Sequence, residues 1–280
     1  MINGLDPERL AILRFYRDAG VITAEADVPG SLSKWPDSRR GQPPAGGEKP
    51  SISPPSAVAR HPARQQPGAS AANALAEAER AAARATTLEE LVAAIAGFEG
   101  CALRESARGP VTHDGVLGAD ILVIGEAPGR EEDRQGKPFV GRSGQLLDRM
   151  LAAIGLARAP GEGQSPVCIS NVVYWRPPGN RNPTPAELAV CLPFARRFIA
   201  LSRPRLVLTA GKVPTEAFFP EVSSIVRSRG QFRTLKTDDG FEAPVLPIFH
   251  PAFLLRQPAQ KRWAWADLLA AKAKLNETLP

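Results

Sequence analysis

Polar side chains with chemical potential follow four short apolar runs of the sequence. Glu126 stands in the segment Gly125–Gly129 after the first run, Asn171 ends the second, Lys212 follows the third and His250 follows the fourth. A carboxylate and an imidazole can orient water, transfer a proton or stabilise a developing charge. An amide carries donors and an acceptor, so it can read the polar edge of a planar ligand. These residue types predict a site for a small polar or aromatic molecule.

Each of these residues also has a purely structural interpretation. A Gly- and Pro-rich segment after a strand is commonly a turn, Asn171 can cap a helix or a turn, and His250 can be a satisfied structural histidine. Gly125–Gly129 does not read GxGxxG and no Walker lysine follows it, so the sequence lacks both nucleotide-binding fingerprints. Joint placement after four separate runs favours the functional interpretation.

An aromatic residue lies in the loop that follows the first candidate segment. Phe139 is flanked by Pro138 and Val140 and bounded by glycines at 136 and 141. An aromatic side chain beside a site can stack on a planar ligand. The alternative is an apolar plug between the loop and the core.

The elements that must position these residues are predicted from the same runs. Apolar β-type runs occur at Ile121–Gly125, Val167–Asn171, Leu206–Ala210 and Val245–Phe249. Helical patterns occur at Ser143–Ile154, Pro185–Leu201, Lys212–Phe218 and Pro258–Leu275. Apolar strands alternating with helices indicate an α/β fold whose parallel sheet is covered on both faces. Such sheets bind ligands at the carboxyl ends of their strands, so the polar residues are expected to meet at one edge.

The chain divides into four predicted segments. Residues 1–27 form a short helical segment, with the helix over Leu5–Ala19, and residues 28–70 form a disordered linker because nine prolines fall between Pro29 and Pro67. Residues 71–96 form a helical lead-in, which includes a capping box beginning at Thr87. Residues 97–280 form the α/β domain.

Composition indicates which kind of partner and which cellular compartment to expect. The net charge is +6 and the pI about 9.5, which is compatible with a polyanionic partner. The chain lacks an apolar run of about eighteen residues, so we expect no membrane span. Its N-terminus does not have the pattern of a secretory signal, and three cysteines are too few for a disulfide scaffold. We therefore expect a cytoplasmic monomer.

Long motifs of the sequence resemble the family 4 (type-4, iron–sulfur) uracil-DNA glycosylases. They are GEAPG from Gly125, EDRQGKPFVG from Glu132, Asn171 followed by RPPGNRNPTPAE, and HPAFLLR from His250. The resemblance covers about residues 97 to 275, with the motifs in the family's order. It implies the three-layer sandwich of uracil-DNA glycosylases, with a four-stranded parallel sheet flanked by helices. It also implies an enzyme that flips uracil out of DNA and hydrolyses its N-glycosidic bond.

The resemblance assigns roles to the candidate residues. Phe139 would stack on the uracil ring and Asn171 would hydrogen-bond its polar edge. His250 would lie near uracil O2, which the backbone around Gly125, Glu126 and Ala127 would also cradle. Glu126 would orient water or stabilise the developing oxocarbenium ion.

Contacts with DNA follow from the same resemblance. Leu254, Leu255 and Arg256 would supply the wedge that fills the gap left by the flipped nucleotide; the alternative is that the two leucines begin a core helix. Candidate phosphate contacts are basic side chains of the domain: Arg134, Lys137, Arg142, Arg176, Arg181, Lys261 and Arg262.

The chain departs from the family at the metal site. The family holds a [4Fe–4S] cluster with four cysteines, and the corresponding positions here are Phe98, Cys101, Trp175 and Cys191. Phenyl and indole rings cannot ligate iron, and such a cluster usually needs four thiolates. We therefore expect no cofactor, with the two aromatic rings filling the volume of the cluster and Cys168 buried in a strand.

Other functions remain as alternatives. A non-catalytic relative would bind DNA without cleaving it, but it would have no need of a complete base pocket. A zinc-dependent base deaminase would need a His/Cys-x-Glu and Cys-x2-Cys set that the sequence lacks. A related branch bonds covalently to DNA through a histidine in the loop after the second strand, and the loop Arg176–Glu187 contains none.

Overall fold

The computed structural model describes residues 67–277, so the predicted helix Leu5–Ala19 and most of the predicted linker lie outside the described residues. The last four linker residues, 67–70, instead form the first turn of a helix that begins at Pro67. Proline suits that position because its φ is already helical and its missing N–H has no partner there in any helix.

In the described part of the chain, the sheet contains seven strands: β1 His113–Gly115, β2 Ile121–Gly125, β3 Leu156–Ala157, β4 Ser165–Asn171, β5 Leu206–Ala210, β6 Arg233–Lys236 and β7 Glu242–Ile248. Their order is β1-β4-β2-β5-β7-β6, with β3 beside β4. The central strands β4, β2, β5 and β7 are parallel, which confirms the predicted four-stranded parallel sheet. The edge strands β1 and β6 are antiparallel to their neighbours and were not predicted.

Nine helices accompany the strands within residues 67–277: α1 Pro67–Arg84, α2 Leu88–Gly97, α3 Arg130–Gln135, α4 Arg142–Ala152, α5 Pro185–Ser202, α6 Lys212–Phe218, α7 Ile225–Ser228, α8 Pro251–Arg256 and α9 Lys261–Asn276. Short 3-10 turns cover Ala102–Glu105, Pro178–Asn180 and Pro258–Gln260. The predicted helix over Pro258–Leu275 is thus a 3-10 turn followed by α9. No helix in the described part of the chain is long and apolar enough to cross a bilayer.

The sheet separates two apolar layers. Successive strand residues face opposite sides, so Leu122 and Ile124 of β2 pack with α1, α2 and α5, whereas Ile121 and Val123 pack with α4, α8 and α9. This is the predicted three-layer α/β sandwich.

The helices α1 and α2 share the apolar layer of α5. Ala78, Leu91 and Ile95 are buried in one cluster with Phe194 and Phe198. Thr87 caps α2 by accepting a hydrogen bond from the Glu90 amide, but the Glu90 carboxylate bonds to Thr86 rather than completing the predicted capping box on Thr87. The buried core of the described chain therefore begins at Ala78 in α1, nineteen residues before the predicted domain boundary at 97.

Candidate active site

The strand register brings the candidate residues to one edge of the sheet. Gly125 ends β2 directly beside Asn171 at the end of β4. The Gly211 amide, just after β5, donates 2.9 Å to the Ile248 carbonyl at the end of β7, two residues before His250. Glu126, Asn171 and His250 therefore follow the ends of β2, β4 and β7 at one edge of the sheet, with β5 between β2 and β7.

Candidate side chains lie in close contact beside Gly125. A Cβ at this position would lie 2.5 Å from both Asn171 Oδ1 and Phe139 Cε2. The Phe139 and His250 rings are stacked, with centroids 5.5 Å apart and planes inclined by 29°. Asn171 is 2% exposed and Phe139 is 6% exposed. The Phe139 ring and the Asn171 amide thus meet at a position where only glycine fits, and the His250 imidazole lies against the Phe139 ring.

The loop that carries Phe139 is closed by one carboxylate. Glu132 accepts hydrogen bonds from the amides of Gly129, Val140 and Gly141, at 3.0–3.1 Å. The first residues of α4 also press on this loop, because a Cβ at Gly144 would lie 1.7 Å from the Phe139 carbonyl oxygen. Neither role was predicted from the sequence, although Glu132 lies inside one of the quoted motifs.

His250 has a defined tautomer. Its Nδ1 accepts a 3.0 Å hydrogen bond from the Ala252 amide, as the N-cap of α8. Burial lowers the pKa of His250 to about 4, with a further contribution from the positive charge of Arg256, while Glu132 opposes it. The imidazole is therefore neutral near pH 7, and its proton resides on Nε2. Gly211 has φ of +105° and lies against the ring, with a Cβ there only 3.0 Å from His250 Cβ.

Glu126 is half-buried at the same edge, and burial raises the pKa of its carboxyl. The backbone carbonyl of Glu126 accepts a 3.0 Å hydrogen bond from the Val173 amide, and the backbone carbonyl of Gly125 accepts one of 2.9 Å from the Val172 amide. These bonds continue the β2–β4 pairing beyond Asn171, so the backbone leading to Ala127 is fixed.

Lys212 is the member of the original set that does not join the pocket. Its ammonium pairs with Glu216 at 3.3 Å on its own helix, and its side chain is 56% exposed. It is a surface ion pair, which typically contributes about 0–1 kcal/mol to stability.

The conformation of α8 corrects the prediction that both Leu254 and Leu255 contribute to the wedge. Leu254 is fully buried with Trp265 and Leu268, so its predicted contact with DNA is wrong, and the core-helix alternative holds for this residue. Leu255 points outward with 37% exposure, next to the exposed Arg256. Leu254 and Leu255 differ in exposure because adjacent side chains on a helix face directions about 100° apart.

Most of the predicted phosphate contacts are engaged in surface interactions. Arg134 pairs with Glu131, Lys137 with Asp114 and Arg181 with Glu187, while Arg176 donates to Asn180. These exposed interactions are weak enough to be exchanged for phosphate. Arg142 is exposed at the start of α4, and Arg262 lies over the Trp263 ring at 5.1 Å. Lys261 is only 3% exposed, so it is not a surface cation as predicted.

The residues at the family's cluster positions form an apolar cluster instead. Phe98 lies 5.1 Å from the Phe194 ring and 6.4 Å from the Trp175 ring, between centroids. Cys101 and Cys191 are buried free thiols, and the interaction between them lowers the pKa of Cys101 and raises that of Cys191.

This set does not fit a [4Fe–4S] cluster, because two thiols are present where four thiolates are needed. Burial raises the pKa of Cys168, inside β4, to about 12, so this thiol is not poised to become a ligand. Among the described residues, no group of three or more His, Cys, Asp and Glu side chains is arranged to hold a metal ion.

Comparisons with known proteins agree with this geometry. The family model described as the uracil DNA glycosylase superfamily matches residues 113–271. The chain is 36% identical over 181 residues to the type-4 uracil-DNA glycosylase of Saccharolobus solfataricus, covering 63% of this chain and 81% of the relative. It is also 36% identical to the type-4 enzymes of Archaeoglobus fulgidus, over 61% of this chain and 85% of the relative, and of Thermotoga maritima, over 63% and 88%. With the fold, the pocket and these relatives in agreement, the chain belongs to the type-4 branch of the uracil DNA glycosylase superfamily.

Proposed function

We propose that this protein is a monofunctional uracil-DNA glycosylase that flips uracil out of DNA and hydrolyses its N-glycosidic bond, leaving an uncut abasic site. The observation that carries the proposal is that Phe139 and Asn171 meet at Gly125 while the His250 ring stacks on the Phe139 ring. A chain that only bound DNA would gain nothing from a buried pocket of this composition.

Recognition of uracil rests on Asn171. Its amide can donate to uracil O4 and accept from N3–H. Cytosine presents a donor and an acceptor in the opposite arrangement, so it would leave buried polar groups unpaired. The edge of the Asn171 side chain faces the Phe139 ring across Gly125, which suits a base that stacks on the ring while its edge meets the amide.

Bond cleavage rests on His250 and Glu126. As the glycosidic bond breaks, negative charge grows on uracil O2, where the neutral imidazole can donate its Nε2–H. Positive charge grows on the sugar, where the Glu126 carboxylate can stabilise it and orient the attacking water. The half-buried position of Glu126 raises its pKa, which strengthens it as a base.

Access to the pocket requires extrusion of the nucleotide from the stack. Leu255 is the exposed apolar side chain at this edge, so it replaces Leu254 as the proposed wedge, with Arg256 beside it. Phosphate contacts are proposed for Arg134, Lys137, Arg142, Arg176 and Arg181. All three cysteines are free thiols, which supports a reducing, cytoplasmic setting for DNA repair by a monomer.

The direct test is incubation with an end-labelled oligonucleotide that contains one uracil. Free uracil should appear, and the strand should break only after alkali is added. Binding without release would instead identify the non-catalytic relative. Strand breakage without alkali, or a stable covalent adduct, would contradict monofunctional hydrolysis.

Gly125→Ala should abolish most of the activity while leaving DNA binding largely intact. The added methyl group would overlap the Phe139 ring and Asn171 Oδ1, so the two groups that hold the base must separate. We expect kcat/KM to fall by about 100-fold, the scale of a small misplacement of reacting groups. Gly97→Ala, at the exposed end of α2, is the control, since a Cβ there would meet no other atom within 4 Å. Activity of Gly125→Ala within about threefold of wild type would contradict the pocket assignment.

The active protein should also be colourless and free of iron. Burial of Phe98 and Trp175 contributes about 2–3 kcal/mol each, which offsets the loss of a cluster that would join the same segments. The measurement is visible absorption and iron analysis of an anaerobic preparation. About four irons per chain would refute the prediction. The Phe98→Cys, Trp175→Cys double variant, treated with iron and sulfide, should in contrast acquire a brown chromophore.

A further inference from the structure

We infer that Arg158 is a positioning residue for catalysis, which holds the backbone of Phe139 so that the ring can stack on the extruded base. The inference rests on the proposed function, since it assigns to Arg158 a role in the same pocket. Arg158 lies after β3, outside every motif that carried the family resemblance.

The guanidinium of Arg158 donates hydrogen bonds to two successive carbonyl groups of the Phe139 loop. Nη1 donates to the Pro138 carbonyl and Nη2 donates to the Phe139 carbonyl, both at 2.6 Å. Charged donors make shorter and stronger hydrogen bonds than neutral ones. The side chain is 14% exposed, so water competes little for these bonds.

The backbone at Phe139 needs such support. Its φ is +54°, in the left-handed region that residues with a bulky side chain rarely adopt. A residue persists there only where its surroundings determine its conformation. Arg158 fixes the peptide groups on both sides of Phe139 through the Pro138 and Phe139 carbonyls, and Glu132 fixes the amides that follow.

Two carboxylates orient the guanidinium in turn. Nε donates 2.7 Å to Asp148 on α4, and Nη1 lies 3.0 Å from Asp114 on β1. The planar fork of arginine can serve four acceptors from three directions, whereas a lysine ammonium in this place cannot match the two carbonyls and both carboxylates. The loop conformation is therefore tied to α4 and to the edge of the sheet.

A double-mutant cycle tests whether Arg158 acts through Phe139. Single-turnover cleavage of uracil-containing DNA is measured for wild type, Arg158→Ala, Phe139→Leu and the double variant. Arg158→Ala should reduce the rate about tenfold in the wild-type background and less than about twofold beside Phe139→Leu, because the stacking ring is then already gone. Phe139→Leu retains an apolar contact, so its cleavage stays measurable.

Matched variants separate positioning from folding. Arg197 also donates two hydrogen bonds to a backbone carbonyl, that of Ala85, on the opposite face of the sheet. Arg197→Ala should lower the Tm as much as Arg158→Ala does and leave the rate within about twofold of wild type. Arg158→Lys keeps a charge between Asp114 and Asp148, so it should fold, yet it should recover only part of the lost rate.

The outcomes are distinguishable. Equal rate losses from Arg158→Ala in both backgrounds, or full activity of Arg158→Lys, would overturn the role of Arg158 in an enzyme that is otherwise active. A wild-type protein that releases no uracil would refute the proposed function itself.

Discussion

Asn171→Asp is expected to reduce kcat/KM for uracil-containing DNA by about 10³-fold or more, which is one of the two largest effects that the structure predicts. The carboxylate cannot donate to uracil O4, so two acceptors would face each other in a pocket where Asn171 is 2% exposed. A site built to hydrogen-bond its substrate loses about 10⁴–10⁵ when such a match is broken, because water cannot repair it. The measurement is single-turnover release of uracil from a labelled duplex.

Asn182→Asp is the matched control for this change. It introduces the same charge on an exposed residue of the loop that follows β4, outside the pocket. Repulsion of DNA by an added negative charge should affect both variants alike, whereas loss of base recognition should affect Asn171→Asp alone. Comparable activity in the two variants would mean that Asn171 does not read the base.

The central strands could be predicted from sequence because they are buried on both faces. Leu206–Ala210 and Ile121–Gly125 were predicted with the bounds that the structure has. Their uninterrupted apolar composition is specific to the middle of a parallel sheet. The edge strands β1 and β6 are short and partly exposed, so they have no comparable pattern and could not be recognised.

The placement of Glu126, Asn171 and His250 at one edge of the sheet also followed from the sequence, because residues after parallel strands share that edge. The orientation of individual side chains did not. Leu254 and Leu255 are equivalent as neighbours in a sequence, and only the start of α8 at Pro251 determines which of them is buried.

Contacts between a side chain and distant backbone atoms could not be predicted from the sequence. Arg158 reaches the Pro138 and Phe139 carbonyls about twenty positions away, and any residue type at those positions would offer the same oxygen atoms. Gly144 meets the Phe139 carbonyl in the same way. Such residues can be identified only once the loop and its neighbours are placed in three dimensions.

The sequence also could not show which basic side chains are already paired with carboxylates. A pI of about 9.5 is compatible with a partner of negative charge, but it does not show which basic side chains are available to bind it. Arg181 proved to be bound by Glu187 through two hydrogen bonds, whereas Arg142 stands exposed at the start of α4. Phosphate binding by the engaged residues must therefore displace an existing, though weak, ion pair.

The second large effect is expected for His250→Ala, which should lower the rate of bond cleavage by about 10²–10³. Affinity for the uracil-containing duplex should change by less than about threefold, because phosphate contacts supply most of it. The rate should fall more than the affinity because the Nε2–H contact strengthens only as negative charge develops on uracil O2. His113→Ala is the control, since His113 is also partly buried but lies on the edge strand β1.

The pH dependence of cleavage provides an independent check on the same residue. Burial lowers the pKa of His250 from 6.5 to about 4, so the imidazole stays neutral as the pH falls through 6.5. Protonation of Nδ1 would also break the hydrogen bond from Ala252 and place a positive charge at the positive end of α8. The single-turnover rate of the wild type should therefore show no inflection near pH 6.5 that depends on His250, and the acid limb that belongs to His250 should lie near pH 4. Loss of activity centred near pH 6.5 that disappears in His250→Ala would show that His250 is exposed to solvent and titrates normally, which would contradict its place in the pocket.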